Sequence, residues 1–482
     1  MNLTGLFEYL RSARTYRGIL QALDRGAAIP DQHLMRAARP FVVAGLAQDL
    51  QRPLVVITGR VDRAHNLVEQ LPVWLLERPV HRFAEPSALF YERAPWSMRA
   101  IQSRLQTLAA LVKPVGVRQT STALPLVVTS AYAAMQKTLP LREFQAGTRV
   151  LRTGQRAVPD TLLRTWLQFG YQPSSVVVEP GTFSRRGGIV DIFPITATQP
   201  VRIEFFGDEI ESLRTFNPQT QRSQTSIEEA VVTPAREALP RYAPQVAERL
   251  ASWFAAQPEP LEDAVSARPD QQVLSEGMAF PYLEFYLPYL YSSPASLFDY
   301  LPPEALVIVE DWDELRASVN ELEEQALATR EERVRAGQLP ADYPLPYVTW
   351  DEFQDELSTR PVLHLAANPE GLPADEPLLG DLFAPGARYG GQVRRVLEDV
   401  ADLLDRGERV IVVTQQAQRL AELWGEQSDY TPPVSQVTGS LPLGAPLFVE
   451  GMLGEGWVLK SEQGRLHLLS DAEIFGWQRP EP

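Results

Sequence analysis

Residues 176–223 read VVVEPGTFSRRGGIVDIFPITATQPVRIEFFGDEIESLRTFNPQTQRS, and this stretch decides the fold of the surrounding domain. Turns that contain Gly and Pro divide it into four short segments with the alternation of β-strands. Alternation along residues 201–206 gives two faces, with Val201, Ile203 and Phe205 on one and Arg202, Glu204 and Phe206 on the other. The first face is predicted to belong to the core.

The second face of this strand carries a large aromatic side chain between charged ones. Aromatic residues together with Arg are typical of the hot spots of protein interfaces, whereas an ordinary solvent-facing strand rarely has them. We therefore predict a docking surface here. An alternative remains open, in which the chain's own loops cover Phe206 while Arg202 and Glu204 form a cross-strand ion pair.

The runs GTFSRRGGIVDIFP and PVRIEFFGDEIESLRTFNPQTQRS resemble the domain shared by the excision-repair helicase subunit UvrB and the bacterial transcription-repair coupling factor, Mfd. Segments from NLTGLFEYL at the start to GWVLKSEQGRLHLLSDAEIFG near the end resemble the N-terminal part of the coupling-factor family in the same order. The resemblance implies a UvrA-binding domain, in which the matching motif positions Arg186, Arg202 and Phe206 contact UvrA. We add Glu204, because it lies between two of them on the same face.

Length and composition limit the possible functions independently. A chain of 482 residues is too long for one core and should contain three or four domains. No run of 18 apolar residues suggests a membrane span, the N-terminus lacks the features of a signal peptide, and the absence of Cys fits a reducing cytoplasm. A net charge of −16 argues against a nucleic-acid-binding module, which needs a cationic surface.

Strand and helix patterns alternate at both ends of the chain, which indicates an α/β protein with a mostly parallel sheet. The predicted architecture is a UvrB-like parallel-sheet domain interrupted by a small α+β, UvrA-binding domain and followed by a further small α/β domain. The expected boundaries are residues 1–147 and 235–366 for the two halves of the sheet domain, 148–234 for the inserted domain, 367–390 for a linker and 391–482 for the last domain.

Motifs for nucleotide hydrolysis are missing from the sequence. The three lysines, Lys113, Lys137 and Lys460, do not follow the Gly-rich loop that a phosphate site requires. The position of that loop in UvrB falls at ARPFVVAGLAQDL, residues 38–50, which is predicted to keep the strand and the helix without the Lys and the glycines. We expect neither a cofactor nor ATP binding.

Other catalytic and DNA-binding patterns are also weak. The five histidines lack metal-ligand spacing, and the aromatic segment 278–301 has no interleaved cations, so we predict that it packs in a core. Residues 81–98 are too short for the DNA-inserting aromatic hairpin of UvrB, which favours the coupling-factor family.

Three functions therefore compete. The leading one is a non-catalytic adaptor region of a transcription-repair coupling factor that recruits UvrA, with RNA polymerase and DNA as partners only through domains outside this chain, and with no membrane partner. The second is a UvrB-type DNA helicase or excision-complex subunit that has lost its ATP site. The third is an unrelated α/β enzyme with a small-molecule pocket.

Overall fold

A computed structural model describes residues 1–27, 29–112, 124–257, 267–366 and 378–476. A six-stranded parallel sheet carries helices on both faces, and a small β-rich domain interrupts it in sequence. A second α/β unit with a five-stranded sheet follows. The predicted fold class is confirmed.

The strands of the parallel sheet are β1 (Gln32–His33), β2 (Leu54–Thr58), β3 (Val80–Phe83), β4 (Leu126–Ser130), β13 (Leu306–Val309) and β14 (Val362–Ala366). They have the order β1-β14-β13-β2-β4-β3 across the sheet. Successive residues of the central strand β2 point to opposite faces, so Val55 and Ile57 enter one apolar core while Leu54 and Val56 enter the other. Burial on both faces explains why these strands are continuously apolar.

Helices of the sheet domain precede, connect and follow these strands. They are α1 (Phe7–Ser12), α2 (Arg14–Asp24), α3 (Arg39–Asp49), α4 (Val61–Gln70), α5 (Met98–Leu111), α6 (Ala131–Met135), α7 (Leu141–Gly147), α9 (Ala243–Arg249), α10 (Ala251–Ala256), α11 (Arg268–Ser275), α12 (Leu287–Leu290), α13 (Trp312–Arg335) and α14 (Trp350–Ser358). The aromatic segment 278–301 contributes Tyr286, Tyr291 and Phe298 to the first core, as predicted.

The inserted domain combines one helix with two ladders of strands. Its elements are β5 (Arg149–Arg152), α8 (Pro159–Gln168), β6 (Gln172–Pro173), β7 (Thr182–Arg186), β8 (Ile189–Ile192), β9 (Val201–Phe206), β10 (Glu209–Phe216), β11 (Ser223–Ser226) and β12 (Glu229–Val232). The main sheet has the order β11-β10-β9-β8-β7-β6, and β12 pairs with β5 where the chain enters and leaves the domain. Strands β7 to β10 are the four strands that the pattern of residues 176–223 predicts.

The last unit contains β15 (Phe383–Ala384), α15 (Val393–Asp405), β16 (Arg409–Thr414), α16 (Ala417–Gly425), β17 (Leu447–Glu450), β18 (Trp457–Ser461), β19 (Gly464–Ser470) and α17 (Asp471–Phe475). Residues 378–390 were expected to be linker, but β15 pairs with β18 and Phe383 packs on Trp457, with ring centroids 5.5 Å apart. This segment, although it contains Gly and Pro, therefore includes an edge strand of the sheet and is not a free connection. Residues 367–377 of the expected linker lie outside the described residues.

The structure corrects the expectation for residues 38–50. The apolar run FVVAGLA is part of α3, and the strand before it is β1, which ends six residues upstream of Arg39. Nearly every residue of α3 is buried, because the helix lies between the parallel sheet and the last domain, where the ring centroids of Phe41 and Trp457 are 4.7 Å apart. A helix buried on all sides has no polar face, so its sequence resembles that of a buried strand.

Buried ion pairs hold the segment that follows the inserted domain within the sheet domain. Arg104 of α5 donates to both carboxylate oxygens of Glu237, at 2.5 and 2.9 Å, and both side chains are fully buried. The preceding residue, Arg236, forms a second bidentate pair with Glu284. Glu237 lies five residues after the end of β12, so the chain is held where it leaves the inserted domain.

Candidate partner-binding surface

Two hairpin tips of the inserted domain lie side by side. Strands β7 and β8 are joined by the loop 187–188, and strands β9 and β10 by the loop 207–208. Gly187 and Gly207 each have φ of +62°, a conformation that favours Gly at the first position of a two-residue hairpin loop. Strands β8 and β9 pair directly, and the Phe205 amide donates to the Gly188 carbonyl at 2.8 Å. The two tips therefore form one end of the sheet.

Strand β9 has the two faces that the sequence predicted. Val201 and Ile203 are buried in the core, whereas Phe206 is 79% exposed. Phe205 points inward but is only partly buried, because it lies near the tip where the core ends. The predicted assignment of side chains to the two faces of β9 is confirmed, and Phe205 is less buried than expected.

The outward face is covered at the end far from the tips. There Val177, Phe193 and Phe216 form a small buried cluster of their own. The guanidinium of Arg202 lies 4.9 Å from the centre of the Phe216 ring. Gln221 links the two covering loops by donating to the Val177 carbonyl at 3.1 Å. The outward face is therefore divided into a covered end and an open end.

Arg202 lies at the boundary between the two ends, and all three nitrogen atoms of its guanidinium donate hydrogen bonds. Its Nε and Nη2 donate to the two carboxylate oxygens of Asp191, at 2.8 and 2.9 Å. Its Nη1 donates to the Gln221 carbonyl and the Ser223 hydroxyl, both at 3.3 Å. Hydrogen bonding to Asp191 raises the pKa of Arg202, against the opposing effect of burial.

The open end is apolar at its centre. Ile189, 38% exposed, is the cross-strand partner of Glu204 and therefore the diagonal neighbour of Phe206 on the same face. Diagonal pairs lie roughly 7–8 Å apart, which is within reach of an aromatic ring. Two exposed apolar side chains next to each other provide a contact that a partner protein could bury.

Charged side chains flank this apolar centre. Arg186 pairs with Ile189 across the first hairpin, is exposed, and donates to the Ser175 carbonyl at 3.0 Å. Glu204 accepts a hydrogen bond from the Ser212 hydroxyl at 2.5 Å and lies 3.7 Å from Arg214. The structure thus places the four candidate residues Arg186, Arg202, Glu204 and Phe206 on one face. We define the docking surface as these four residues together with Ile189.

The alternative interpretation of this face is contradicted in both of its parts. Phe206 is exposed instead of covered by loops, and Arg202 pairs with Asp191 instead of Glu204. Sequence reasoning missed Asp191 and Ile189. Alternation along IVDI, combined with the two-residue turn before it, would have placed both of them outward, beside Arg186 and Ser184.

A crevice of about 950 Å³ lies at the carboxyl ends of β2 and β13, the usual place for a ligand in an open parallel sheet. Two of its lining cations form ion pairs, Arg60 with Asp62 and Arg82 with Glu85, which lies outside the lining. Among the described residues, no group of three or more His, Cys, Asp or Glu side chains is arranged to hold a metal ion.

Comparison with known proteins connects this geometry to DNA repair. The family described as "UvrB interaction domain" matches residues 150–237, which include the docking surface. Across the part of the chain that the structure describes, no helix combines the length and the apolar character needed to cross a membrane.

Several relatives are described as transcription-repair-coupling factors. The protein of Bacillus subtilis (strain 168) is 30% identical over 331 residues, 66% of this chain and 27% of the relative, and that of Myxococcus xanthus is 32% identical over 331 residues, 64% and 27% respectively. The protein of Staphylococcus aureus (strain MRSA252) is 22% identical over 458 residues, 92% of this chain and 38% of the relative. The predicted resemblance is confirmed, and these alignments span less than two fifths of each relative's length.

Proposed function

Because the chain is related to transcription-repair coupling factors over most of its length, we propose that it is a non-catalytic adaptor region that recruits UvrA for transcription-coupled nucleotide excision repair in the cytoplasm. The observation that carries the proposal is Phe206, 79% exposed beside Ile189 and Arg186, within a UvrB interaction domain. RNA polymerase and DNA would be engaged through parts of the relatives that this chain does not cover.

The docking surface has the properties of a small interface centre. An exposed aromatic side chain gains the most when a partner covers it, and an Arg beside it offers a fork of donors for a carboxylate. The domain also carries no net charge between residues 148 and 233, with nine Arg and nine acidic residues, inside a chain of net charge −16. A charged partner therefore meets less repulsion here than elsewhere.

Titration of the whole chain into UvrA, followed by isothermal calorimetry, tests the proposal directly. We expect saturable binding with a fixed stoichiometry. UvrB should compete with the chain for UvrA, because residues 150–237 resemble a domain that UvrB also carries. Absence of binding, or binding that UvrB does not displace, would contradict the proposal.

Arg186→Ala should weaken UvrA binding about three- to tenfold, and the loss should shrink as salt is raised. Arg186 is exposed and its guanidinium donates to the Ser175 carbonyl, a neutral acceptor, so its positive charge stays available to a partner. Surface plasmon resonance at about 0.05 and about 0.3 M ionic strength measures both effects. Arg164→Ala is the matched control, because Arg164 is an Arg on α8 outside the docking surface. Equal losses in the two variants would point to a general charge effect.

We also expect that the chain does not bind ATP. The α3 N-terminus, where a phosphate loop would lie, holds the buried Arg39, whose Nη1 is 3.3 Å from Glu310 and whose Nε donates to the Leu34 carbonyl. Neither the glycines nor the Lys of a phosphate loop is present there. Calorimetry with magnesium-ATP should show no saturable binding tighter than roughly millimolar, with UvrB as the positive control. Tighter binding would favour the UvrB-type subunit instead.

A further inference from the structure

Asp191 is a buried carboxylate on the outward face of the inserted domain. It is 4% exposed although the face that it belongs to is open a few residues away. Burying a carboxylate is unfavourable unless charged hydrogen-bond donors replace the lost water. Asp191 meets this need with Arg202, through two hydrogen bonds of 2.8 and 2.9 Å in a bidentate geometry.

The ion pair with Asp191 holds Arg202 beside a second positively charged side chain. Arg214 is the direct cross-strand partner of Arg202, so two guanidinium groups stand next to each other on β9 and β10. Like charges directly opposite are unfavourable unless acids flank them. Each of the two guanidinium groups has an acidic neighbour. Asp191 forms an ion pair with Arg202, and Glu204 lies 3.7 Å from Arg214. Removing the charge of Asp191 would weaken the bidentate contact of Arg202 and leave two hydrogen bonds of 3.3 Å, to the Gln221 carbonyl and the Ser223 hydroxyl, to hold it against the repulsion of Arg214.

We propose that Asp191 is a positioning residue of the docking surface, which acts through Arg202 by holding its guanidinium in one orientation at the edge of the open end. This inference rests on the proposed function, because the consequence that it predicts is a change in UvrA affinity. A side chain already fixed in the free protein loses less conformational freedom on binding. The expected gain from one such side chain is about two- to tenfold in affinity.

A double-mutant cycle on UvrA binding tests the inference. The variants are Asp191→Asn, Arg202→Gln and the two combined, each in the full chain. Asp191→Asn should reduce the affinity about three- to tenfold when Arg202 is present, and less than twofold when residue 202 is Gln. A reduction of the same size in both backgrounds would mean that the substitution merely loosens the domain, and would overturn the proposal. No reduction in either background would overturn it too.

Asp160→Asn is the matched control for the cycle. Asp160 also pairs with an Arg of the same domain, Arg185, but both side chains are more exposed, and Arg185 lies on the face of β7 opposite to that of Arg186. This variant removes the same charge and one ion pair, and it should leave the UvrA affinity within twofold of the parent. A loss equal to that of Asp191→Asn would assign the effect to net charge and overturn the proposal.

A measurement without UvrA separates this inference from the proposed function. In protein labelled with ¹⁵N-arginine, the Nε–H signal of Arg202, identified by its loss in Arg202→Gln, should exchange with water more slowly than that of Arg186. The protection should disappear in Asp191→Asn. If the parent fails to bind UvrA while Arg202 is protected, the proposed function fails and the geometry stands. If Arg202 is unprotected in the parent, the positioning role is wrong.

Discussion

Phe206→Ala is expected to lower the affinity for UvrA by ~2 kcal/mol or more, about thirtyfold, while leaving the thermal midpoint nearly unchanged. The ring is 79% exposed, so the folded chain loses little when it is removed. In a complex, the ring would cover Ile189 and exclude water from the neighbouring charges, which is how a small patch concentrates binding energy. Calorimetric titration with UvrA, together with a thermal melt of each protein, measures both quantities.

Two control variants define what the Phe206 result means. Leu167→Ala removes a 43% exposed apolar side chain from α8 of the same domain, and its UvrA affinity should stay within twofold of the parent. Phe205→Ala should show the reverse pattern, a loss of stability of about 2 kcal/mol, below the roughly 3–5 kcal/mol of a fully buried Phe, with UvrA binding retained. Unchanged UvrA binding in Phe206→Ala would place the docking surface elsewhere.

The two faces of β9 could be predicted from residues 201–206 alone, because alternation with a period of two is a local property of the chain. The ion-pair partner of Arg202 could not be predicted from these residues, because it depends on which strand lies beside β9. Asp191 faces Arg202 only because the connection between β8 and β9 sets their register. Glu204, closer in sequence, is on the same face but accepts a hydrogen bond from Ser212 instead.

The position of α3 shows why other parts of the fold could not be predicted in the same way. The run FVVAGLA has neither the alternation of a half-buried strand nor the polar stripe of a surface helix. Its burial on all sides depends in part on the last domain, whose Trp457 and Leu459 enter the same core as α1 and α3. The same long-range packing orders residues 378–390, whose Pro and Gly suggested a linker. In both places, contacts between segments far apart in sequence determine the local structure.

Glu237→Ala should destabilise the fold more than any substitution on the docking surface, with a loss of ~3–5 kcal/mol. It leaves the guanidinium of Arg104 buried without its counterion, next to the Phe83 ring, whose centre is 3.9 Å away. The Ala84 carbonyl, 3.1 Å from Nη1, replaces only part of the lost interaction. Urea denaturation followed by tryptophan fluorescence measures the change in the free energy of unfolding.

Glu398→Ala is the control for Glu237→Ala. Glu398 also pairs with an Arg, Arg394, but on an exposed helix face. Its substitution should lower the free energy of unfolding by about 0.5 kcal/mol or less. The double variant Arg104→Met, Glu237→Leu should recover most of the stability, since an apolar pair needs no charge compensation. If Glu237→Ala costs no more than Glu398→Ala, the buried pair does not stabilise the segment that follows the inserted domain. If it costs as expected, the docking surface is carried on a domain whose exit segment is fixed to the sheet.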